Sequence, residues 1–199
     1  VSLAAGGTTR LTADTGVDVT GTLTVNGAIT STSDLTVAEK VIHAGDTDTF
    51  VSFPAANTVS VETGGNEALR VDSSGRLLIG TSTTRTTLGT NPLLQVAGTN
   101  FDTSSCLLRR DQANSSAPCL LFGKSRGSAG GNTVVQNNDK LGDIIFTGAD
   151  GTDLTSHAAI IRAEVDGTPG ADDMPGRLVF STTADGAAFS TTRLTIDSA

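Results

Sequence analysis

Between residues 17 and 29 the chain alternates apolar and polar positions. Val17, Val19, Gly21, Leu23, Val25, Gly27 and Ile29 share one parity; Asp18, Thr20, Thr22, Thr24, Asn26 and Ala28 share the other. A period of two marks strands with one dry face. Asn26-Gly27 interrupts it with a tight-turn pair, because both residues tolerate positive φ. Leu35 and Val37 then resume the same parity. Residues 1–40 are therefore expected to form a β shaft. Strands so short and so thinly apolar cannot enclose a core alone. The expectation is that partner chains intertwine, each layer joining three Val, Leu or Ile side chains at roughly 1.5–3 kcal/mol per buried side chain.

Residues 41–81 read as a repeat unit of strand and turn phrases. Thr49, Val51 and Phe53 alternate before Pro54, and Val59 and Val61 precede Gly64-Gly65. Leu69 and Val71 precede "DSSG", and Leu77 and Ile79 follow it. Short strands joined by Gly-, Ser- or Asn-bearing turns fit an all-β solenoid, prism or sandwich. The side chains expected to face a shared core are Val17, Val19, Leu23, Val25, Ile29, Leu35, Val37, Leu69, Val71, Leu77 and Ile79.

Residues 82–92, "STTRTTLGTNP", are Thr-rich, carry no core-facing pattern and end before Leu93, which places a linker or crossover and a domain boundary there. Beyond it the apolar runs lengthen: "PLLQVAG", "CLLF", "DIIFTG", "AAIIRAEV" and "RLVFSTT". Phe101, Phe122, Phe146, Phe180 and Phe189 gather here as well. Residues 93–199 are expected to form a more compact, β-sandwich-like domain. "SHAAIIRAEVDG" from Ser156 fits a short helix capped by Ser156 or a strand; the strand-like neighbours favour the strand.

One phrase recurs. "TTRLTAD" begins at Thr8, "ALRVDSSG" at Ala68 and "TTRLTID" at Thr191. Aligned on Leu11, Leu69 and Leu194, the second gap is about twice the first, the spacing of an array of units. The phrase is expected to mark the seam at the end of each unit. The chain is also expected to be processed or partly observed, since it starts at Val1, and to continue or be cleaved after Ala199.

Composition sharpens the shaft reading. Aromatic residues make up 4% of the chain, with no Trp or Tyr, so few large side chains are present to offset about 1–2 kcal/mol of backbone entropy per residue. The strand patterns oppose disorder, and a core shared between chains resolves the conflict. The net charge of −8, without a basic stripe, argues against nucleic acid as a partner. No apolar run approaches the ~20 residues of a membrane-spanning helix, so no membrane insertion is expected. Cys106 and Cys119 open the echoing runs "CLLRR" and "CLLFG"; the pair fits either a disulfide or two buried thiols on neighbouring strands, and the strand-like runs favour the thiols.

Candidate chemistry is sparse. Asp46 with Asp48, Asp150 with Asp153, and Asp172 with Asp173 are oxygen-rich loops of a kind that can hold calcium, but they are also ordinary turn chemistry, and no metal or cofactor is assigned. Glycoside hydrolysis would need two carboxylates across a sugar, usually above aromatic platforms, and Trp and Tyr are lacking. "GKSRG" from Gly123 matches a nucleophile elbow by letters only, because no helical pattern follows Ser125. An enzyme is not expected. If a receptor is contacted, loops 124–138 and 148–157 are the candidates. Within them stand Lys124, Arg126, Asn132, Asn137, Asn138, Asp150, Asp153 and His157.

The phrases "HAGDTDT", "FPAANTVSVETGG" and "ALRVDSSGRLLIGT", followed by "GDIIFTGADGTD", "RAEVDGTPG", "DMPGRLVFSTTADG" and "RLTIDSA", resemble segments of bacteriophage tail fibres, particularly those of marine phages and cyanophages. The resemblance implies an elongated all-β homotrimer of triple β-helix or β-prism type with three parallel chains. It also implies attachment to the virion, assembly in the host cytoplasm, and a role in viral attachment to the host. The implied partners are further copies of the chain, other virion tail proteins, and a host cell-surface glycan or protein receptor. In such fibres the recurrent phrase leads into another repeat or into a self-cleaving chaperone. A bacterial surface adhesin stalk and a polysaccharide-degrading tailspike are the rival readings.

Overall fold

The computed structural model describes residues 19–198. Val17 and the first "TTRLTAD" phrase lie outside them. The chain divides into two compact units, Val1–Val37 and Ala38–Ala199.

In the first unit the described residues bend at Asn26-Gly27 but form no strand. Among the described residues, 19–37 therefore form no intrachain strand. Val19, Leu23, Val25, Ile29 and Leu35 are exposed and Val37 is half-buried. The physical reason is simple: an alternating stretch with no ladder partner in its own chain gains nothing by extending.

The second unit is all-β, with no helix among the described residues. Its first sheet contains β1 (Lys40–His43), β2 (Asp46–Ser52), β3 (Val59–Thr63), β4 (Asn66–Val71), β5 (Leu77–Ile79) and β6 (Leu94–Val96), ordered as in sequence. The first five strands form an antiparallel meander, and β6 returns parallel to β5. Turn chemistry sets this course. Gly64-Gly65 links β3 to β4 with φ of 56° and 71°, the doubly left-handed conformation a two-residue hairpin needs. After β4, Asp72 Oδ1 accepts the Ser74 and Arg76 amides, Gly75 N–H donates to Asp72 O at 2.8 Å, and Arg76 Nε donates to Asp72 Oδ2 at 2.7 Å. The "DSSGR" phrase is thus a self-contained reversal. Residues 82–92 are a crossover inside this sheet, which extends past them to β6.

The second sheet contains β7 (Lys140–Thr147), β8 (His157–Val165), β9 (Gly176–Thr182) and β10 (Thr191–Ile196), in the order β10-β9-β8-β7, all antiparallel. The ambiguous "SHAAIIRAEVDG" is β8, a central strand. Its run of Ile160, Ile161 and Val165 suits a strand paired on both sides.

Beyond residue 93, β6 belongs to the first sheet and β7 to β10 form the second, and each sheet is open. One expectation is corrected here. "CLLRR" and "CLLFG" are not strands, and Cys106 and Cys119 are exposed free thiols, because residues 105–124 find no ladder in their own chain. The buried apolar side chains of the described residues are Leu78 and Val165, fully enclosed, with Val135 and Ile160 nearly so. That is a small core for so much sheet.

Candidate assembly faces

Strand register puts one parity of the first sheet into a continuous row. Val41 pairs with Val51, Val51 with Val61, Val61 with Leu69, Leu69 with Ile79, and Ile79 with Val96. A second row runs beside it through Val59, Val71, Leu77 and Leu94. Cross-strand neighbours share a face, so these side chains make one apolar surface. Val41, Val51, Val59, Val71, Leu94 and Val96 are exposed on it.

The opposite face carries Ser52, Ser60, Arg70, Leu78 and Gln95 in one row, and it is the covered one. Ser60 and Leu78 have no exposed surface. The Ser52 and Ser60 hydroxyls share a hydrogen bond of 2.7 Å. Gln95 Oε1 accepts the Arg85 amide at 2.8 Å, and its Nε2 donates to Thr84 Oγ1 and Pro92 O. The Thr-rich crossover is therefore tied to the polar face at its Gln95 end. Arg70 is clamped by Glu67, with Nε to Oε1 at 2.6 Å. The sheet is inverted relative to an ordinary monomer, covering its hydroxyls and showing its valines to solvent.

The second sheet repeats the arrangement. Ile144, Ile161, Phe180 and Leu194 form one row; Gly142, Ala163, Leu178 and Ile196 form the next. Ile144, Phe146, Leu178, Leu194 and Ile196 are exposed on this face. The reverse side carries Asp143, Arg162, Glu164 and Arg177. Arg162 grips Asp143 with bonds of 2.6 and 2.8 Å. Arg177 reaches Glu164 at 2.7 Å and Asp166 at 2.9 Å. The Arg162 guanidinium holds the Asp143 carboxyl below the usual carboxylate range. Asp166 is lowered chiefly by the Ser198 amide, and by Arg177 in addition. Both arginines on this side, where Ile160 is also nearly buried, are engaged by carboxylates, while much of the apolar side stays exposed.

Of the side chains expected to face a shared core, the register brings Leu69, Val71, Leu77 and Ile79 together on the first face. Val19, Leu23, Val25, Ile29, Leu35 and Val37 belong to the other unit. Val41, Val51, Val59, Val61, Leu94 and Val96, the whole second-sheet face and Phe53 were not in that set. Their signal was present as parity within each strand; the missing information was how the strands align.

The candidate receptor loops are built mostly from structural contacts. Arg126 forms a bidentate pair with Asp139 at 2.6 and 2.7 Å, and this guanidinium holds Asp139 well below the usual carboxylate range. Asn137 Oδ1 accepts the Gly167 amide, and Asn138, at a φ of 69°, accepts Arg177. Asp150 Oδ1 accepts the Thr152 and Asp153 amides, and Asp153 Oδ1 accepts both the amide and the hydroxyl of Thr155. His157 lies in β8, where its carbonyl accepts the Thr183 hydroxyl. Lys124 and Asn132 line an open groove with Val134, Pro169 and Met174. Among the described residues no three His, Cys, Asp or Glu side chains converge as a metal site would require.

No protein-family model matches the chain, and no curated protein sequence matches it. Among solved structures, the fold is similar to the carboxy-terminal domain of the bacteriophage T5 L-shaped tail fibre. The TM-score is 0.53 at 14% identity, covering 81% of this chain and 75% of that one. At that identity the likeness is one of fold.

Proposed function

We propose that the chain is a structural and host-attachment fibre protein of a tailed phage virion, acting as a homotrimer and without catalysis. The observation that carries this reading is the pair of sheets that each expose an apolar face while covering or ion-pairing the polar one. Exposed apolar surface on this scale marks an interaction site in a soluble protein. Three copies with these faces turned inward would bury what a single copy leaves wet. The likeness in fold to a tail-fibre domain supports the same reading.

In this reading the mechanism is mechanical and multivalent. A stiff trimer anchored to other virion tail proteins holds several identical surfaces toward the cell. Weak contacts with a host glycan or protein receptor then add through effective concentration. Receptor contact falls to loops 124–138 and 148–157, with the Lys124 and Asn132 groove the least committed to internal bonding.

The test is mass in solution, with and without boiling in detergent. A species of three chain masses that survives unboiled detergent is expected. A compact species of one chain mass at micromolar concentration would overturn the reading.

A further inference from the structure

Residues 105–124 lie within residues 97–139, the longest strand-free stretch of the second unit among the described residues. Their hydrogen bonds among the described residues are all local. Asn114 N–H donates to Gln112 O at 2.9 Å, and Ser116 N–H to Asn114 Oδ1 at 3.0 Å. Arg109 pairs with Asp111, Arg110 with Gln112, and the Cys119 thiol reaches Ala117 O. A loop this long without structure of its own is uncommon in a compact domain and is usually functional. Surface loops are also ordinarily polar, yet this one carries Cys106-Leu107-Leu108 and Cys119-Leu120-Leu121-Phe122. Leu107 is 80% exposed and Leu121 86%.

The second apolar run is already seated at the edge of a face that lacks cover. Phe122 lies against Gly142 of β7, where an added Cβ would stand 2.9 Å from Phe122 Cγ. Leu120, Leu121 and Phe122 form one wall of an apolar trough whose floor is Ile144, Ile161 and Leu178. Among the described residues neither run has a ladder; the second adjoins the second-sheet face, and the polar "DQANSSAP" separates it from the first.

We infer that residues 106–110 and 119–122 are interchain strands, which pair with a second copy of this chain and roof the apolar face of its second sheet. This rests on the trimer reading. The occupant is a second copy because the runs find no backbone partner among the described residues of their own chain, and the trough, walled on one side by the chain's own Leu120–Phe122, still leaves Ile144 and Leu178 exposed.

Amide hydrogen exchange on the intact assembled protein tests it, with oligomeric mass measured on the same sample. In the trimer, the amides of residues 106–110 and 119–122 are expected to exchange on the order of a hundredfold more slowly than an unstructured peptide. A trimer in which both runs exchange at the unstructured rate overturns the inference and leaves the trimer reading intact. A single-chain mass overturns both. Leu121→Asn supplies the second arm. A side chain this exposed in one chain has little intrachain packing to lose, so near-native circular dichroism with at least a tenfold loss of detergent-resistant trimer is expected. Unchanged trimer from Leu121→Asn together with Leu107→Asn counts against the pairing.

Discussion

Gly80 ends β5 at a φ of 73°, and its amide donates to Ala68 O at 3.1 Å. A Cβ there would meet the carbonyl oxygen of Ala97 at 2.4 Å, a backbone atom that cannot swing aside. Gly80→Ala is therefore expected to destabilise the first sheet by about 1–3 kcal/mol, through left-handed strain and this contact together. Denaturant unfolding checks it. The pair Asp143–Arg162 gives a pH signature instead. Its carboxyl is lowered in the folded state, so its stabilisation is present above the unfolded value of about 3.9 and is lost as pH falls through the folded value. Asp143→Asn should cost about 1 kcal/mol at pH 7. The gap from the native protein should close in acid below the ordinary carboxylate range. Thermal unfolding at several pH values reads this directly, and a gap constant with pH would remove the ion pair as its cause.

At the scale of elements, the recurrent phrase has a concrete meaning in its two described copies. Leu69 in β4 and Leu194 in β10 each sit in an apolar row, and an Asp follows each strand: Asp72 accepts the amides of its own turn, while after Asp197 it is Ser198 that ties the chain to Asp166. The phrase is a strand that presents Leu to the apolar face and then stops. Under the proposed trimer, Leu69→Asp should break up the oligomer, since each copy would bring a charge into an apolar interface at several kcal/mol per ion. Ser73→Asp, exposed in the turn after β4, should leave the oligomer intact. Sedimentation of the two variants side by side makes the comparison. The strands around Val51, Val61, Leu69 and Ile79 were legible in the sequence because alternation and glycine or Asx turns are local signals. "CLLRR" and "CLLFG" carry an equally strong local signal, yet no strand forms in one chain. A strand needs a partner, and nothing within either run names it.

For the whole molecule the question is what holds residues 38–198 together. Four apolar side chains are buried among the described residues, while both sheets leave their dry faces open. A core that small cannot offset backbone ordering of about 1–2 kcal/mol per residue. Folding and assembly are therefore expected to be a single transition whose midpoint rises with protein concentration. Calorimetry across a tenfold dilution would show a Tm lower by several degrees in the dilute sample. A Tm independent of concentration would mean that each copy is stable by itself. The sequence alone determined that the chain is all-β, where its turns fall, and that its apolar content is too thin and too one-sided for an ordinary globule, because periodicity and turn propensity act over a few residues. Only the tertiary structure decided that Val41, Val51, Val61, Leu69, Ile79 and Val96 form one row, that the Thr-rich crossover is tied to Gln95 on the polar face, and that the cysteine-leucine runs lie unpaired among the described residues. Those outcomes depend on register and on contacts between residues distant in the chain, which no local pattern encodes.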